Sequence, residues 1–342
     1  MEDALLLKRL FAFLMVVCVI VCAAGCGGKV RSGQCEKMTK VILNEVAHSC
    51  FYAPLYVSME QGYFEGEGIQ LELVTGFGGD KTMTAVLSGE ADIGFMGSEA
   101  SIYAYQEGAG DYVVNFAQLT QRAGNFLVAR NPIDEFEWEM LRGKKVLGGR
   151  AGGMPEMIFE FILEKEGIHP KTDVEIDQSI DFGSTAAAFS GGQGDYTIEF
   201  EPHATMLEQK KDGYVVASLG EDSGYVPYTA FSAKKSYIEE HPDIIQSFVN
   251  ALQQGIYFVD TNSPEEIAKV IAPQFQEMDA DTLTSIVERY YKQDTWKDNL
   301  VFEEQSFDLL INILEDAGVL NTPVPYRELI NTEFAERAKS LF

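Results

Sequence analysis

The side chains best suited to chemistry in this 342-residue chain stand at the ends of short apolar segments. Glu45, Glu99, Glu156, Glu199 and Glu201 sit there, and so do two cations, Arg122 and Arg150. A carboxylate in such a place accepts N–H groups from a cation or an amino-substituted heterocycle, whereas a guanidinium clamps a sulfonate or carboxylate. The carboxylates outnumber the guanidinium groups. Among them are smaller residues that hydrogen-bond or let a ligand approach the main chain: His48, Ser49, Gly78, Gly79, Asp80, Ser98 and Gly152. Tyr52, Phe77, Phe95, Phe126, Phe182, Tyr196 and Tyr225 are the rings placed to hold a planar group, with most such aromatics expected in the core. Plain structural duties compete with binding, since Ser98 equally suits a helix N-cap and Asp80 a helix dipole.

Bond-making chemistry has less support. The histidines His48, His169, His203 and His241 are scattered, with no cysteine or histidine partner at zinc spacing, and no G-x-S-x-G, P-loop or H-E-x-x-H occurs. No metal, no cofactor and no catalytic residue are expected; binding is. With 53 acidic against 26 basic side chains the formal charge is -27, and no basic stripe interrupts it. Such a surface repels phosphate backbones, so nucleic-acid binding is excluded.

The elements that must position these residues alternate. Apolar strands at 41–44, 69–75 and 93–96 are interleaved with helices at 54–61 and 80–88; a second series runs through strands 145–147, 174–176 and 196–200 with helices at 155–166 and 184–190. This alternation predicts α/β architecture with parallel strands and helical crossovers, twice over. After a strand at 228–233 the chain reads as helical: Ile245, Phe248, Val249 and Leu252, then Leu283, Ile286, Val287 and Tyr290, then Phe307, Leu310, Ile311 and Leu314 keep the i, i+3, i+4, i+7 spacing of a core-facing stripe. The helices are expected to pack back on the first series. Residues 38–125 with 229–342 then form lobe 1, residues 126–228 form lobe 2, and two connecting strands make a hinge beside a closing cleft.

The N-terminus reads as an export address. Lys8 and Arg9 precede an uncharged run from Leu10 to Ala24 that ends in small residues before Cys26. It is shorter than the ~20 residues a spanning helix needs. Ala23-Ala24-Gly25-Cys26 resembles a bacterial lipobox, although Ala23 stands where leucine is usual. The resemblance implies a signal peptide over 1–25, a lipidated Cys26 and a flexible tether over 26–37; an uncleaved anchor is the alternative. Cys35 and Cys50 would then be the remaining cysteines, and their pairing is left open.

From Asn44 to Ser101 the sequence resembles the SsuA/THI5-like solute-binding proteins of bacterial ABC importers. Ala53-Pro54-Leu55-Tyr56, Gly62-Tyr63-Phe64, Gly78-Gly79-Asp80 and Gly89-Glu90-Ala91-Asp92-Ile93-Gly94 carry it, and it continues through Gly183-Ser184-Thr185, Gly194-Asp195-Tyr196 and Glu201-Pro202. It implies a two-lobe periplasmic-binding-protein type II fold, an extracytoplasmic location, a monomer, a small-molecule ligand, and partnership with a permease and an ATPase. A pyrimidine thiamine precursor or related aromatic N-heterocycle is the first choice of ligand, with nitrate, taurine or an alkanesulfonate second. The competing class, a THI5-like pyrimidine synthase, carries a cysteine-rich motif of which only Cys50-Phe51 remains. The lipid expectation is directly testable. Cys26→Ser removes the anchor and should release the protein from the membrane fraction, and fatty-acid labelling should mark the wild type alone; an unlabelled wild type overturns it.

Overall fold

The computed structural model describes residues 38–180, 182–320, 322 and 324–341. The expected signal peptide, Cys26 and the tether lie outside the described residues. Ten strands occur in chain order: β1 (Thr39–Glu45), β2 (Ile69–Thr75), β3 (Ile93–Gly97), β4 (Val113–Thr120), β5 (Asn125–Ala129), β6 (Lys145–Leu147), β7 (Glu175–Asp177), β8 (Tyr196–Phe200), β9 (Tyr214–Ser218) and β10 (Thr229–Lys234).

They form two five-stranded sheets with one plan. The first has the order β2-β1-β3-β10-β4 and the second β7-β6-β8-β5-β9. In each, three parallel strands with helical crossovers are joined by one antiparallel strand contributed from across the molecule: β10 in the first sheet, β5 in the second. Only residues 121–124 and 219–228 connect the sheets, which gives two lobes and a double connection between them. Asn125 pairs with Phe200 and so belongs to the second sheet.

The parallel strands, crossover helices and turn glycines follow the expected pattern. Gly89, for example, closes the helix Gly79–Ser88 at a φ of 82°, a left-handed value costly for a side-chain-bearing residue. The sequence reading did not identify β4, β5 or β9. β4 and β5 are buried along their whole length and lack the polar alternation that marks a half-exposed strand.

The helical remainder corrects the expectation that it packs on the first lobe alone. The helix Pro242–Thr261 does lie on the helix Ala53–Glu60, with Ile245, Phe248, Val249 and Leu252 buried as predicted. The helices Ala280–Lys292 and Glu304–Asp316 also reach the second lobe. Arg289 ion-pairs with Glu201 and Glu208, and the helix Glu304–Asp316 lies against the helix Met154–Lys165. Charge explains the first contact, because Glu201 is fully buried and needs a cation. Residues 296–300 and Ile330 cover the outer edge of β4, protecting it from pairing with another chain. One apolar cluster runs through both lobes.

Gly255 sets how closely the two main first-lobe helices approach. A Cβ there would collide with the Pro54 carbonyl and the Ser58 hydroxyl. Gly255→Ala, which in an isolated helix would gain about 1 kcal/mol, should here cost about 1–3 kcal/mol through overpacking. Denaturant unfolding reads the sign directly.

Candidate functional site

The seam between the lobes is built at the carboxyl ends of strands, where loops enter helices and leave backbone groups unpaired. On the first lobe β1 ends in Glu45, a fully buried carboxylate that accepts from Tyr56 Oη at 2.7 Å, Thr75 Oγ1 at 2.9 Å and His48 Nδ1 at 2.8 Å. His48 Nε2 donates to the Gln274 carbonyl at 3.0 Å. Both ring nitrogens thus face acceptors. Burial lowers the His48 pKa, but the Glu45 and Gln274 contacts outweigh it and leave it raised. Glu45 and His48 are accordingly spent on supporting the next turn rather than turned on a ligand. Ser49 begins that turn, accepting from Phe51 N at 3.3 Å and donating across the seam to the Glu201 carbonyl at 2.8 Å.

Two further contacts join the lobes. Tyr103 Oη donates to the Gly152 carbonyl at 3.0 Å, and Arg150 meets Asp80 at 2.8 Å. The second pair is more than half exposed and contributes little by itself. Gly78, at a φ of 149°, hydrogen-bonds through its N–H to the Val46 carbonyl and, with Gly79, brings Asp80 to this rim. Phe77 precedes them in a left-handed conformation, φ 56°, with its ring 77% exposed.

Glu99 opens the helix Glu99–Gln106 and is 8% exposed. Its carboxylate lies over Gly97, where any Cβ would collide with it. Oε2 has no hydrogen-bond partner. Burial pushes its pKa up to about 7, against the pull of the Met154 N–H and Arg150. Tyr52, 3% exposed and packed edge-on against Phe95, feels the Glu99 charge, and no partner for its hydroxyl occurs among the described residues. Asn125 Nδ2 is likewise buried without a partner, while its Oδ1 accepts from Tyr228 Oη at 3.0 Å. The Tyr228 carbonyl accepts from Ser98 N at 3.3 Å, one residue before Glu99, so Asn125, Tyr228 and the start of this helix are neighbours.

The second lobe supplies two more carboxyl groups lifted to about 7. Glu156 is raised by burial and by Glu160, and accepts from Gly152 N at 3.0 Å and from Gln178. Glu199 is raised by burial and accepts from Thr197 Oγ1 at 2.7 Å, with Thr185 also bonded.

Other expected residues sit elsewhere. Glu201 is held by Arg289 at 2.6 Å and by Thr205 N and Oγ1 at 2.9 and 3.0 Å, leaving it a structural ion pair. The Ser98 hydroxyl is spent on the Pro227 carbonyl and does not cap its helix. Arg122 donates to the Gly220 carbonyl at 3.0 Å and stacks on Tyr225 at the connection between lobes. Phe95 stacks on Phe231, Phe126 packs on Tyr290 and Tyr196 on Phe136, all within the core. Sequence reasoning missed Asn125, Tyr103 and Arg289. Tyr103 had a readable signal, four residues after Glu99 and therefore on the same helix face.

Two like-built lobes with buried, unsatisfied polar groups on their seam define a binding protein of the two-lobe periplasmic type II class. The chain belongs to the NMT1/THI5-like family, whose pattern matches residues 51–267. It is 44% identical over 305 residues, 89% of this chain and 91% of the other, to a Bacillus subtilis (strain 168) protein described as "Putative binding protein YtlA". The fold matches the nitrate-binding protein NrtA from Synechocystis PCC 6803, with a TM-score of 0.74, 14% identity, and 90% of this chain and 89% of that one covered. It also matches the aliphatic sulphonate binding protein SsuA from Escherichia coli, with a TM-score of 0.69, 15% identity and coverages of 85% and 97%. Among the described residues no group of three His, Cys, Asp or Glu side chains is placed to hold a metal ion, and no helix is long and apolar enough to cross a membrane.

The seam carboxyls make stability depend on pH with a definite sign. Glu99 in the folded chain holds its proton up to about 7, against an ordinary value of 4.5. Between those values the folded state binds more protons than the unfolded one, so stability falls as pH rises through that window and stays low above it. Glu99→Gln, which cannot ionise, should be more stable than wild type at pH 8 by about 2–3 kcal/mol and indistinguishable at pH 4. Thermal unfolding of both proteins across that range checks it; equal slopes would contradict it.

Proposed function

We propose that this chain is the extracytoplasmic solute-binding component of an ABC importer, held at the membrane by a lipid on Cys26. In this reading the lobe of residues 126–228 swings on its two connections and closes over a planar ligand bearing N–H donors, an aminopyrimidine of the thiamine-precursor type or a related N-heterocycle. The closed form is then offered to a permease and its ATPase. The observation carrying the ligand class is Glu99 Oε2, a buried acceptor without a donor, together with the buried Asn125 amide that lacks an acceptor. A ring carrying an amino group and a ring nitrogen offers complements to both, and removing an unmet polar group from isolation returns about 1–3 kcal/mol each.

An anion would meet fewer complements. Nitrate and alkanesulfonate, the ligands named for the structural neighbours, require cations; Arg150 is paired with Asp80, and Arg122 gives one N–H to the Gly220 carbonyl while its buried Nε has no partner. Glu99, Glu156 and Glu199 would repel them once ionised. Cys50, which with Phe51 is all that remains of the synthase motif, is a buried thiol that burial holds well above its ordinary pKa, and the nucleophile is the thiolate.

Calorimetric titration with aminopyrimidine thiamine precursors and with taurine tests the reading. Alanine at Glu99 or Glu199 should weaken aminopyrimidine binding about thirtyfold or more, the cost of removing a charged partner in a desolvated site. Arg150→Ala should change it only slightly. Binding of taurine in its place, or dominance of Arg150, overturns the ligand class.

A further inference from the structure

Beside the connections between the lobes lies a cavity of about 440 Å³. That volume is in the range that holds small molecules. Gln121 and Tyr225 wall it from the two connections, the helix Pro242–Thr261 contributes Asp260, and Tyr291 with residues 294–298 completes it. It shares none of the seam carboxyls, and the argument for it is independent of the ligand class proposed above.

Its charges are arranged by depth. Lys297 lines the cavity and is 8% exposed, yet its ammonium makes no hydrogen bond or ion pair among the described residues. Glu303 and Asp298 act on it only through space, and burial lowers its pKa despite them. A cation on a largely buried side chain, with its hydration restricted and no protein acceptor, offers a place for an anionic group. The other charged groups, Asp260, Asp294 and Asp298, are exposed at the rim. Asp294 accepts from Tyr225 Oη at 2.5 Å and Asp298 from Asn299 at 2.6 Å, each through one oxygen, while the Asp260 side chain has no hydrogen bond among the described residues. Tyr225 and Tyr291 expose large parts of their rings beside them, and Trp296 forms part of the wall.

A bare anion would be repelled at the rim and a bare cation by Lys297. We propose that the cavity binds a small zwitterion of the amino-acid type, its carboxylate on Lys297 and its ammonium between Asp260 and Asp298. The ammonium's neighbouring carbon then lies along the aromatic edge formed by Tyr225 and Tyr291.

The chain has two tryptophans, so Trp138→Phe leaves Trp296, in the cavity wall, as the sole tryptophan, which excitation at the red edge of its absorption selects over tyrosine. In that background we would titrate glycine, L-glutamine, L-lysine and L-phenylalanine separately. At least one should change Trp296 emission saturably, with a dissociation constant below about 1 mM. The same titration should weaken about thirtyfold or more in Lys297→Met, and by a smaller factor in Asp260→Asn. The N-acetyl derivative and the methyl ester, each lacking one charge, should both fail to bind. Should Lys297→Met not fold, Asp260→Asn on the rim and the two derivatives carry the test. Aminopyrimidine binding at the seam should persist in Lys297→Met, which separates the two sites. No saturable change with any of the four amino acids, or a change that survives both Lys297→Met and loss of the ligand's carboxylate, overturns the proposal.

Discussion

A carboxyl group withdrawn from water, with one of its oxygens left without a partner, governs the organisation of this molecule. Glu99 could be relieved by exposure, by a nearby cation, or by a hydrogen-bond donor. The fold blocks the first by closing the second lobe over it, with Met154 N–H and the Tyr103 contact to Gly152 nearby. It blocks the second by engaging Arg150 with Asp80 at the rim. The third is met in part by the Met154 N–H, and a donor from outside is the relief left for Oε2. Gly97 matters for the same reason, since its lack of a side chain is what makes room for the carboxylate.

The residues around Glu99 divide into those that hold the walls and those that face inward. Glu45 with His48, and Glu201 with Arg289, are complete hydrogen-bonded units, and each fixes a turn that crosses or borders the seam. Ser49 joins the two units by donating to the Glu201 carbonyl. Where the lobes meet, main-chain and rim groups are thus satisfied by one another, while Glu99 Oε2 and Asn125 Nδ2 are buried without partners.

Much of the architecture was legible in the sequence because it depends on local pattern. The parallel strands alternate or end in turn residues, and helical stripes such as Ile245, Phe248, Val249 and Leu252 mark their buried face directly. β4 and β5 were not legible, because a strand buried on both faces has no alternation to read. The site was half legible. Strand-end position picked out Glu99, Glu156 and Glu199, but it picked Glu45 and Glu201 as well. Which carboxylates are already paired depends on Tyr56, Thr75 and Arg289, residues up to 88 positions away in sequence. No local pattern carries that information. The reach of the C-terminal helices onto the second lobe escaped for the same reason.

The place of β10 has a consequence for the order in which the chain can fold. β3 and β4 share no hydrogen bonds with each other; β10 lies between them and joins both. Because β10 follows the whole second lobe, a chain emerging from its N-terminus cannot complete the first sheet until residue 234 has been made. Strand pairings so distant in sequence form late. The second sheet, whose five strands all lie between Asn125 and Ser218, can therefore close before the first, although the first sheet's opening strands are made earlier.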